Sequence, residues 1–353
     1  MRNKGGDVMQ NPYTLVFGKE PNQMISRISQ ITEIAETFNS EIPSQQIYMI
    51  TGVRGTGKTV FMTEIAKKLN KNGNWIVVEL NPEKDLLVGL AAKLSSENEL
   101  AQIFKTAKIN LSFFGFGLEV KGESPITDIE TAITKMMESL GKHGKRVLIT
   151  IDEVTSTKTM REFASAFQIF VRQDLPIFLL MTGLYENVNE LQNEKNLTFL
   201  YRATKIELKP LNIGTIARNY KSNFKLDDET SLLMAKITRG YSFAFQVLGY
   251  FTWENDGDYD GVLGDYKQYL DDYVYDKIWS ELSRGDRKIL YGMAKCENGK
   301  ISDIREFLGI ETNEFNPYRK RLIKKGIING DERGYVKFVL PLFEEYVIEN
   351  FDE

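Results

Sequence analysis

Two hydrophobic patterns alternate along residues 1–209. Short apolar runs are typical of strands buried in a parallel sheet, and they occur at Gln46–Thr51, Trp75–Leu80, Val147–Ile151, Ile177–Thr182 and Lys205–Leu208. Between them, apolar residues at three- and four-residue spacing predict helices at Met24–Phe38, Val60–Leu69, Lys84–Leu94, Glu97–Lys105, Asp128–Leu140 and Met160–Arg172. Strands separated by such helices indicate right-handed βαβ units, so we expect an α/β fold with a parallel sheet flanked by helices.

The strand pattern stops after residues 209–211, and helical spacing continues alone. Helices are expected at Asn212–Phe224, Asp228–Thr238, Ser242–Trp253 and Gly264–Leu282, which predict a small all-helical domain. Residues 285–347 then show three further helices and a short hairpin, the element order of a winged helix-turn-helix. We therefore predict three domains, over residues 1–209, 210–282 and 283–353.

An insertion over about residues 84–122 interrupts the alternation of strands and helices. The pattern of its first part predicts helices. Its last part, INLSFFGFGLEVK at 109–121, has two β-prone runs interrupted by Gly115 and Gly117, which predicts a β-hairpin. Two interpretations of the hairpin stay open: an exposed contact element, or a hairpin that packs on its own domain.

Composition narrows the classes of protein and of chemistry. The chain has 353 residues, is 42% hydrophobic and 27% charged, and has a formal net charge of −4, so a surface for nucleic acid must be local. Because Cys296 is the single cysteine, no disulfide can form within the chain, which favours a reducing compartment. With His143 the single histidine, a zinc site of the usual Cys/His type lacks ligands. The polar N-terminus and the lack of a long apolar run predict a cytoplasmic protein with no membrane contact.

A glycine-rich segment directly follows the first predicted strand and opens a helix. Its sequence GVRGTGKT fits G-x-x-x-x-G-K-[ST], in which glycines let the loop wrap a phosphate and backbone N–H groups face the anion. Lys58 can reach the β- and γ-phosphates of a nucleotide, and the Thr59 hydroxyl can ligate Mg²⁺. The predicted nucleotide-binding residues are Gly52, Val53, Arg54, Gly55, Thr56, Gly57, Lys58, Thr59 and Val60.

Two carboxylates follow the buried run VLITI. Asp152, at the tip of the predicted strand, can hold Mg²⁺ together with Thr59. Glu153 is placed to orient and deprotonate an attacking water, as a general base does. Metal ligands are therefore expected at Thr59 and Asp152, and a catalytic base at Glu153.

The pair GVRGTGKT and VLITIDE resembles the Walker A and Walker B motifs of P-loop ATPases of the AAA+ type. The resemblance extends over nearly the whole chain to the archaeal and bacterial branch related to origin-recognition and signal-transduction NTPases. It implies a P-loop ATPase core, a helical lid and a C-terminal winged helix, with ATP or ADP and Mg²⁺ as cofactors.

The same resemblance implies roles for three further residues. Thr182 matches the sensor-1 position, whose polar side chain contacts the γ-phosphate or the water. Arg202 matches the segment that carries an arginine finger, which implies self-association. Arg27 matches an arginine near the adenine, and an ordinary surface salt bridge is the alternative for it, as it is for Arg202.

The segment TRGYSFAFQ at 238–246 resembles the entry of the lid helix, with two departures. Many AAA+ proteins place a sensor-2 arginine in the first turn of this helix, and here Arg239 precedes Gly240 instead. Signal-transduction NTPases have a proline where this chain has Ser242. A contact from the lid to the γ-phosphate is therefore an open question.

The third helix of the C-terminal module, predicted at Asn313–Lys325, carries the densest basic cluster of the chain. Such a helix can lie in the major groove of double-stranded DNA, and the candidate DNA-binding residues are Arg319, Lys320, Arg321, Lys324 and Lys325. The alternative is a solvated face on a module that binds protein.

These features together predict a slowly hydrolysing ATPase that acts as a nucleotide-dependent switch and binds DNA. Two other functions stay open. One is a signalling NTPase whose winged helix contacts protein, and the other is a nucleotide-binding scaffold without turnover.

Overall fold

The five apolar runs form one parallel sheet in the computed structural model of the chain, which describes residues 10–16 and 21–352. The strands are β1 (Ile47–Thr51), β2 (Trp75–Leu80), β3 (Arg146–Ile151), β4 (Ile177–Gly183) and β5 (Thr204–Glu207), in the spatial order β2-β3-β4-β1-β5. Every residue of β1 and β4 is buried, as expected for central strands covered on both faces. Thr51 pairs with Gly183 and Ile151 with Met181, so β1, β3 and β4 end along the same edge.

The chain divides into two units. The sheet unit consists of residues 27–51 and 58–207. The helical unit consists of the described residues among 1–26, together with 52–57 and 208–352. Residues 1–20 lack helical periodicity, which predicts an extended stretch, and most of them lie outside the described residues. Within the two described stretches, every helix is too short or too polar to cross a bilayer.

The helices of the sheet unit pack their apolar faces on the sheet and on one another. They are α1 (Ile28–Asn39), α2 (Lys58–Asn70), α3 (Leu86–Ser96), α4 (Asn98–Thr106), α5 (Ile129–Lys142), α6 (Lys158–Arg172) and α7 (Tyr185–Asn193). Several begin at a side-chain cap: Asp85, Asp128 and Thr157 accept backbone N–H bonds from the first turns of α3, α5 and α6. The fold class predicted from the sequence is confirmed.

The hairpin predicted at 109–121 is wrong. The segment holds a single 3-10 turn at Ser112–Phe114, and Gly115 and Gly117 adopt left-handed backbone conformations after it. One backbone bond, from the Leu111 N–H to the Leu118 carbonyl at 2.8 Å, closes the loop. Leu111 and Leu118 are buried in the core of the sheet unit, so apolar anchoring rather than strand pairing explains the β-like pattern. Phe113 is exposed.

The helical unit has one hydrophobic core. Its helices are α8 (Ile213–Phe224), α9 (Asp228–Ile237), α10 (Ser242–Glu254), α11 (Leu263–Leu270), α12 (Asp276–Ser280), α13 (Arg284–Lys295), α14 (Ile301–Leu308), α15 (Thr312–Lys324) and α16 (Phe343–Asn350). A π-helical turn, Asp271–Tyr275, joins α11 to α12, so the predicted helix Gly264–Leu282 is nearly continuous. Buried residues before and after position 282 belong to the same core.

The C-terminal module has the predicted order of three helices followed by two antiparallel strands, β6 (Ile328–Asn329) and β7 (Lys337–Phe338). The sequence analysis missed α16, which follows the strands. Tyrosine hydroxyls help to tie this end of the chain to the lid: Tyr275 donates to the Pro341 carbonyl at 2.5 Å, and Tyr346 donates to Asp276 at 2.6 Å.

Candidate functional site

Asp152 follows the last residue of β3 and accepts hydrogen bonds from two threonine hydroxyls. Thr59, in the first turn of α2, donates to Asp152 Oδ2 at 2.6 Å. Thr182, in β4, donates to Asp152 Oδ1. The strand order explains this meeting, because β3 and β4 are neighbours that end at the same edge. Three of the predicted site residues are thus in direct contact.

Glu153 lies next to this cluster in a left-handed backbone conformation, with φ +54°. A residue other than glycine adopts that conformation at a cost of about 1–3 kcal/mol, and such strain is concentrated at functional sites. Its backbone N–H donates to Asp152 Oδ1 at 3.0 Å and to Thr182 Oγ1 at 3.2 Å, which fixes the turn. The Glu153 side chain is exposed. The carboxylate is therefore accessible to a water beside Asp152.

Thr59 and Asp152 suit a magnesium ion. Mg²⁺ is bound in proteins through one or two carboxylate or hydroxyl oxygens, with waters and substrate phosphates completing an octahedron. A carboxylate and a hydroxyl whose oxygens already lie 2.6 Å apart supply such a pair. The described residues contain no group of three or more His, Cys, Asp and Glu side chains that would build an all-protein metal cage.

The glycine-rich loop at 52–57 continues from β1 and leads into α2. Gly55 and Gly57 have φ +75° and +88°, conformations that side chains rarely adopt. The Thr56 hydroxyl donates to the Val53 carbonyl at 2.9 Å and closes the loop on itself. Lys58 and Thr59 are half-buried at the start of α2. The loop thus has the left-handed glycines that a phosphate-binding turn needs.

The entry of the lid helix binds this loop through three consecutive residues. The Tyr241 hydroxyl donates to the Arg54 carbonyl at 2.5 Å, and the Ser242 hydroxyl donates to the Thr56 carbonyl at 3.1 Å. Between them, the Phe243 N–H donates to the carbonyl of Gly55 at 3.1 Å. The sequence analysis missed Tyr241 as a site residue, because a tyrosine before an apolar helix looks like any core aromatic.

A charged pair also joins the loop to the lid. The Arg54 guanidinium lies 2.7 Å from a carboxylate oxygen of Glu281, just after α12, and both side chains are about one-third exposed. At that exposure the pair is worth about 0–1 kcal/mol.

Arg239, the displaced sensor-2 candidate, is engaged within the lid and the C-terminal module. Its guanidinium pairs with Glu344 of α16 and donates to the Leu340 carbonyl at 3.0 Å. Arg239 therefore has a structural role in the helical unit.

Two predicted site residues lie on other elements of the sheet unit. Arg202 is exposed at the end of the 3-10 turn Thr198–Arg202. Arg27 precedes α1, and burial lowers the pKa of its guanidinium. The arginine-finger role of Arg202 and the nucleotide contact of Arg27 stay predictions.

Part of the basic cluster on α15 is used inside the protein. Arg321 donates from Nε and from Nη2 to the same carboxylate oxygen of Asp286, Oδ1, at 2.9 and 2.7 Å, and the Asp286 side chain is only 2% exposed. Arg319 is half-buried and donates to the Gly330 carbonyl at 3.3 Å. These two arginines therefore hold α13 and the strand turn in place, and their contact with DNA stays a prediction. Lys320 and Lys324 are exposed, and Lys325 is half-buried.

Two family models match the chain. One, described as an ATPase domain predominantly from Archaea, matches residues 25–204, and another, a domain of unknown function, matches residues 272–347. No curated protein matches the chain.

Among solved structures, a Walker-type ATPase of Pyrococcus abyssi is similar at a TM-score of 0.63 and 16% identity, over 92% of this chain and 96% of that one. The ORC2 protein of Aeropyrum pernix, solved as ADPNP–ADP complexes, is similar at a TM-score of 0.59 and 13% identity, over 95% of each chain. At such identities these two likenesses establish the fold.

Proposed function

The chain belongs to the family of ATPase domains found predominantly in Archaea, and on this basis we propose that it binds ATP with Mg²⁺, hydrolyses it slowly and acts as a nucleotide-dependent switch. The observation that carries the proposal is the Asp152 carboxylate, which accepts hydrogen bonds from both Thr59 and Thr182 where β3 ends. A carboxylate placed between a threonine of α2 and a polar strand residue suits the metal and γ-phosphate side of a nucleotide site.

Binding would use the loop and the start of α2. Backbone N–H groups of residues 52–57 and the positive end of the α2 dipole attract the phosphates. Lys58 would extend along the β- and γ-phosphates as a cation. When bound at Thr59 and Asp152, Mg²⁺ neutralises part of the phosphate charge.

Hydrolysis would depend on Glu153 and Thr182. The exposed Glu153 carboxylate would accept a proton from the attacking water, and the Thr182 hydroxyl would orient that water or the γ-phosphate. We propose slow turnover in the isolated chain, because an arginine supplied by a neighbouring subunit, for which Arg202 is the candidate, can contribute roughly 10³–10⁵ in rate.

We propose a second function for the C-terminal module, DNA binding by α15. It is supported by the order of three helices and two strands and by the positions of two lysines, Lys320 and Lys324, at exposed sites on α15. Phosphate contacts would supply most of the affinity. The alternative is a module that contacts protein.

Replacing Lys58 with alanine should weaken binding of ATP·Mg²⁺ by about ten- to a hundredfold, since a hydrogen bond to a charged group is worth about 1.5–3 kcal/mol. Calorimetric titration of the full chain measures the affinity. The control is Lys71→Ala, which removes an exposed lysine just after α2 and should bind like the parent. Equal affinity of Lys58→Ala and the parent would contradict the loop as the phosphate site.

Replacing Glu153 with glutamine should preserve ATP binding and lower turnover by about 10²–10⁴-fold, because the amide keeps the shape of the side chain and loses the base. Phosphate release under single-turnover conditions provides the rate. Glu162→Gln, an exposed glutamate of α6, is the matched control. Unchanged hydrolysis in Glu153→Gln removes Glu153 from this role, and rapid turnover of the dilute parent chain contradicts the slow basal rate.

Replacing Lys320 and Lys324 together with alanine should reduce the salt dependence of DNA binding. Each phosphate contact contributes about −0.9 to the slope of log K against log salt, so losing two should flatten the slope by about two units. Fluorescence anisotropy with duplex DNA at several salt concentrations provides the slope.

The control for this variant is Lys135→Ala with Lys142→Ala, which removes the same charge from exposed positions on α5. Arg321 is left in place because its loss would unpair the buried Asp286. DNA binding that ignores salt, or equal slopes in both double variants, would reject α15 as the DNA-binding element and favour protein contact.

A further inference from the structure

We propose that Tyr241 is a positioning residue for the phosphate-binding loop: by holding the Arg54 carbonyl on the lid side, it directs loop N–H groups toward the bound phosphates. The inference rests on the proposed binding of nucleotide at this loop. It goes beyond that binding because it assigns the shape of the loop to a residue that lies far along the chain.

Peptide geometry connects the hydroxyl to the N–H groups. In a trans peptide the C=O of one residue and the N–H of the next point in opposite directions, and the described residues have no cis peptide bond. When the Arg54 carbonyl is held by Tyr241, the Gly55 N–H must face away from the lid. When the Thr56 carbonyl is held by Ser242, the Gly57 N–H must do the same.

The third peptide of this stretch, between Gly55 and Thr56, has both its carbonyl and its N–H in hydrogen bonds within the protein. The Phe243 N–H donates to the Gly55 carbonyl at 3.1 Å, and the Thr56 N–H donates to the Val53 carbonyl at 3.4 Å. Gly55 and Gly57 therefore carry the N–H groups that the two hydroxyls orient. An anion-binding turn needs such N–H groups to converge on one side.

The contact is tightly built around Gly55. A Cβ at that position would overlap the Tyr241 hydroxyl and lie 2.9 Å from the Phe243 Cβ, so only glycine fits beneath the lid entry. Tyr241 is 2% exposed, and burial raises the pKa of its phenol, so the hydroxyl remains a donor at all physiological pH values. A buried tyrosine whose hydroxyl reaches a loop carbonyl at 2.5 Å has little freedom to point elsewhere.

Ser242 supports the same positioning role for the lid entry through a hydrogen bond of its own. The Ser242 hydroxyl donates to the Thr56 carbonyl at 3.1 Å, so a second side chain of the lid entry holds a second peptide of the loop.

The test is the affinity of the full chain for ADP·Mg²⁺ and ATP·Mg²⁺ after Tyr241→Phe, which removes one oxygen and keeps the ring. The matched control is Tyr275→Phe. Tyr275 is also fully buried in the helical unit, and its hydroxyl also donates to a backbone carbonyl at 2.5 Å, that of Pro341. Both variants lose the same kind of bond, so both should lower the unfolding temperature of the nucleotide-free protein.

Of these two variants, only Tyr241→Phe should weaken the binding of both nucleotides, by at least about threefold, because Tyr275 does not hold a peptide of the loop. Ser242→Ala should weaken them similarly, and it keeps the test decisive if Tyr241→Phe does not fold. Affinities within threefold of the parent in these lid-entry variants, or an equal loss in Tyr275→Phe, would overturn the assignment.

Lys58→Ala in the same titration separates this inference from the proposed function. If the parent binds nucleotide, Lys58→Ala does not, and Tyr241→Phe equals the parent, the loop is the site and the positioning role is wrong. A parent chain that binds neither nucleotide overturns both.

Discussion

The two hydrogen bonds that Asp152 accepts, from Thr59 and from Thr182, are the contact on which the account of the site depends. They bring together the first turn of α2, the end of β3 and the end of β4. Both carboxylate oxygens are used, so the side chain has one orientation, and Glu153 follows it in a fixed left-handed turn. A parallel sheet allows this cluster to form because the carboxyl ends of its strands lie along one edge, where polar residues can meet while the apolar faces stay covered.

The phosphate loop is shaped by residues distant in sequence. Tyr241, Ser242 and Phe243 hold three consecutive carbonyls of the loop, and the same lid shares a core with the C-terminal module. Within the helical unit, the Tyr275–Pro341 hydrogen bond joins the lid to the segment just before α16, and the Arg239–Glu344 ion pair joins the lid to α16 itself. The proposed switch requires that a change in the loop reach the C-terminal module, and the shared core connects the lid entry with that module.

The sequence allowed the sheet and its helices to be predicted because burial of apolar strands and helix faces dominates both patterns. The hairpin at 109–121 was wrong because Leu111 and Leu118 are buried without pairing as strands, and apolar pattern alone does not separate these cases. The roles of Asp152 and Thr59 could be predicted from local sequence motifs, whereas the contacts of Tyr241 and Arg321 are made with residues distant in sequence. A basic residue on a helix gives no sign of a buried partner such as Asp286, which lies 35 positions away.

The central claim is that residues 52–59 receive the phosphates of a nucleotide. Amide hydrogen exchange of the full chain, with and without saturating ADP·Mg²⁺, tests it most directly. Bound phosphate should slow exchange at the N–H groups of the loop and the first turn of α2 by about tenfold or more, since each N–H becomes a donor to the anion. Exchange in this segment that is the same with and without the nucleotide would contradict the account.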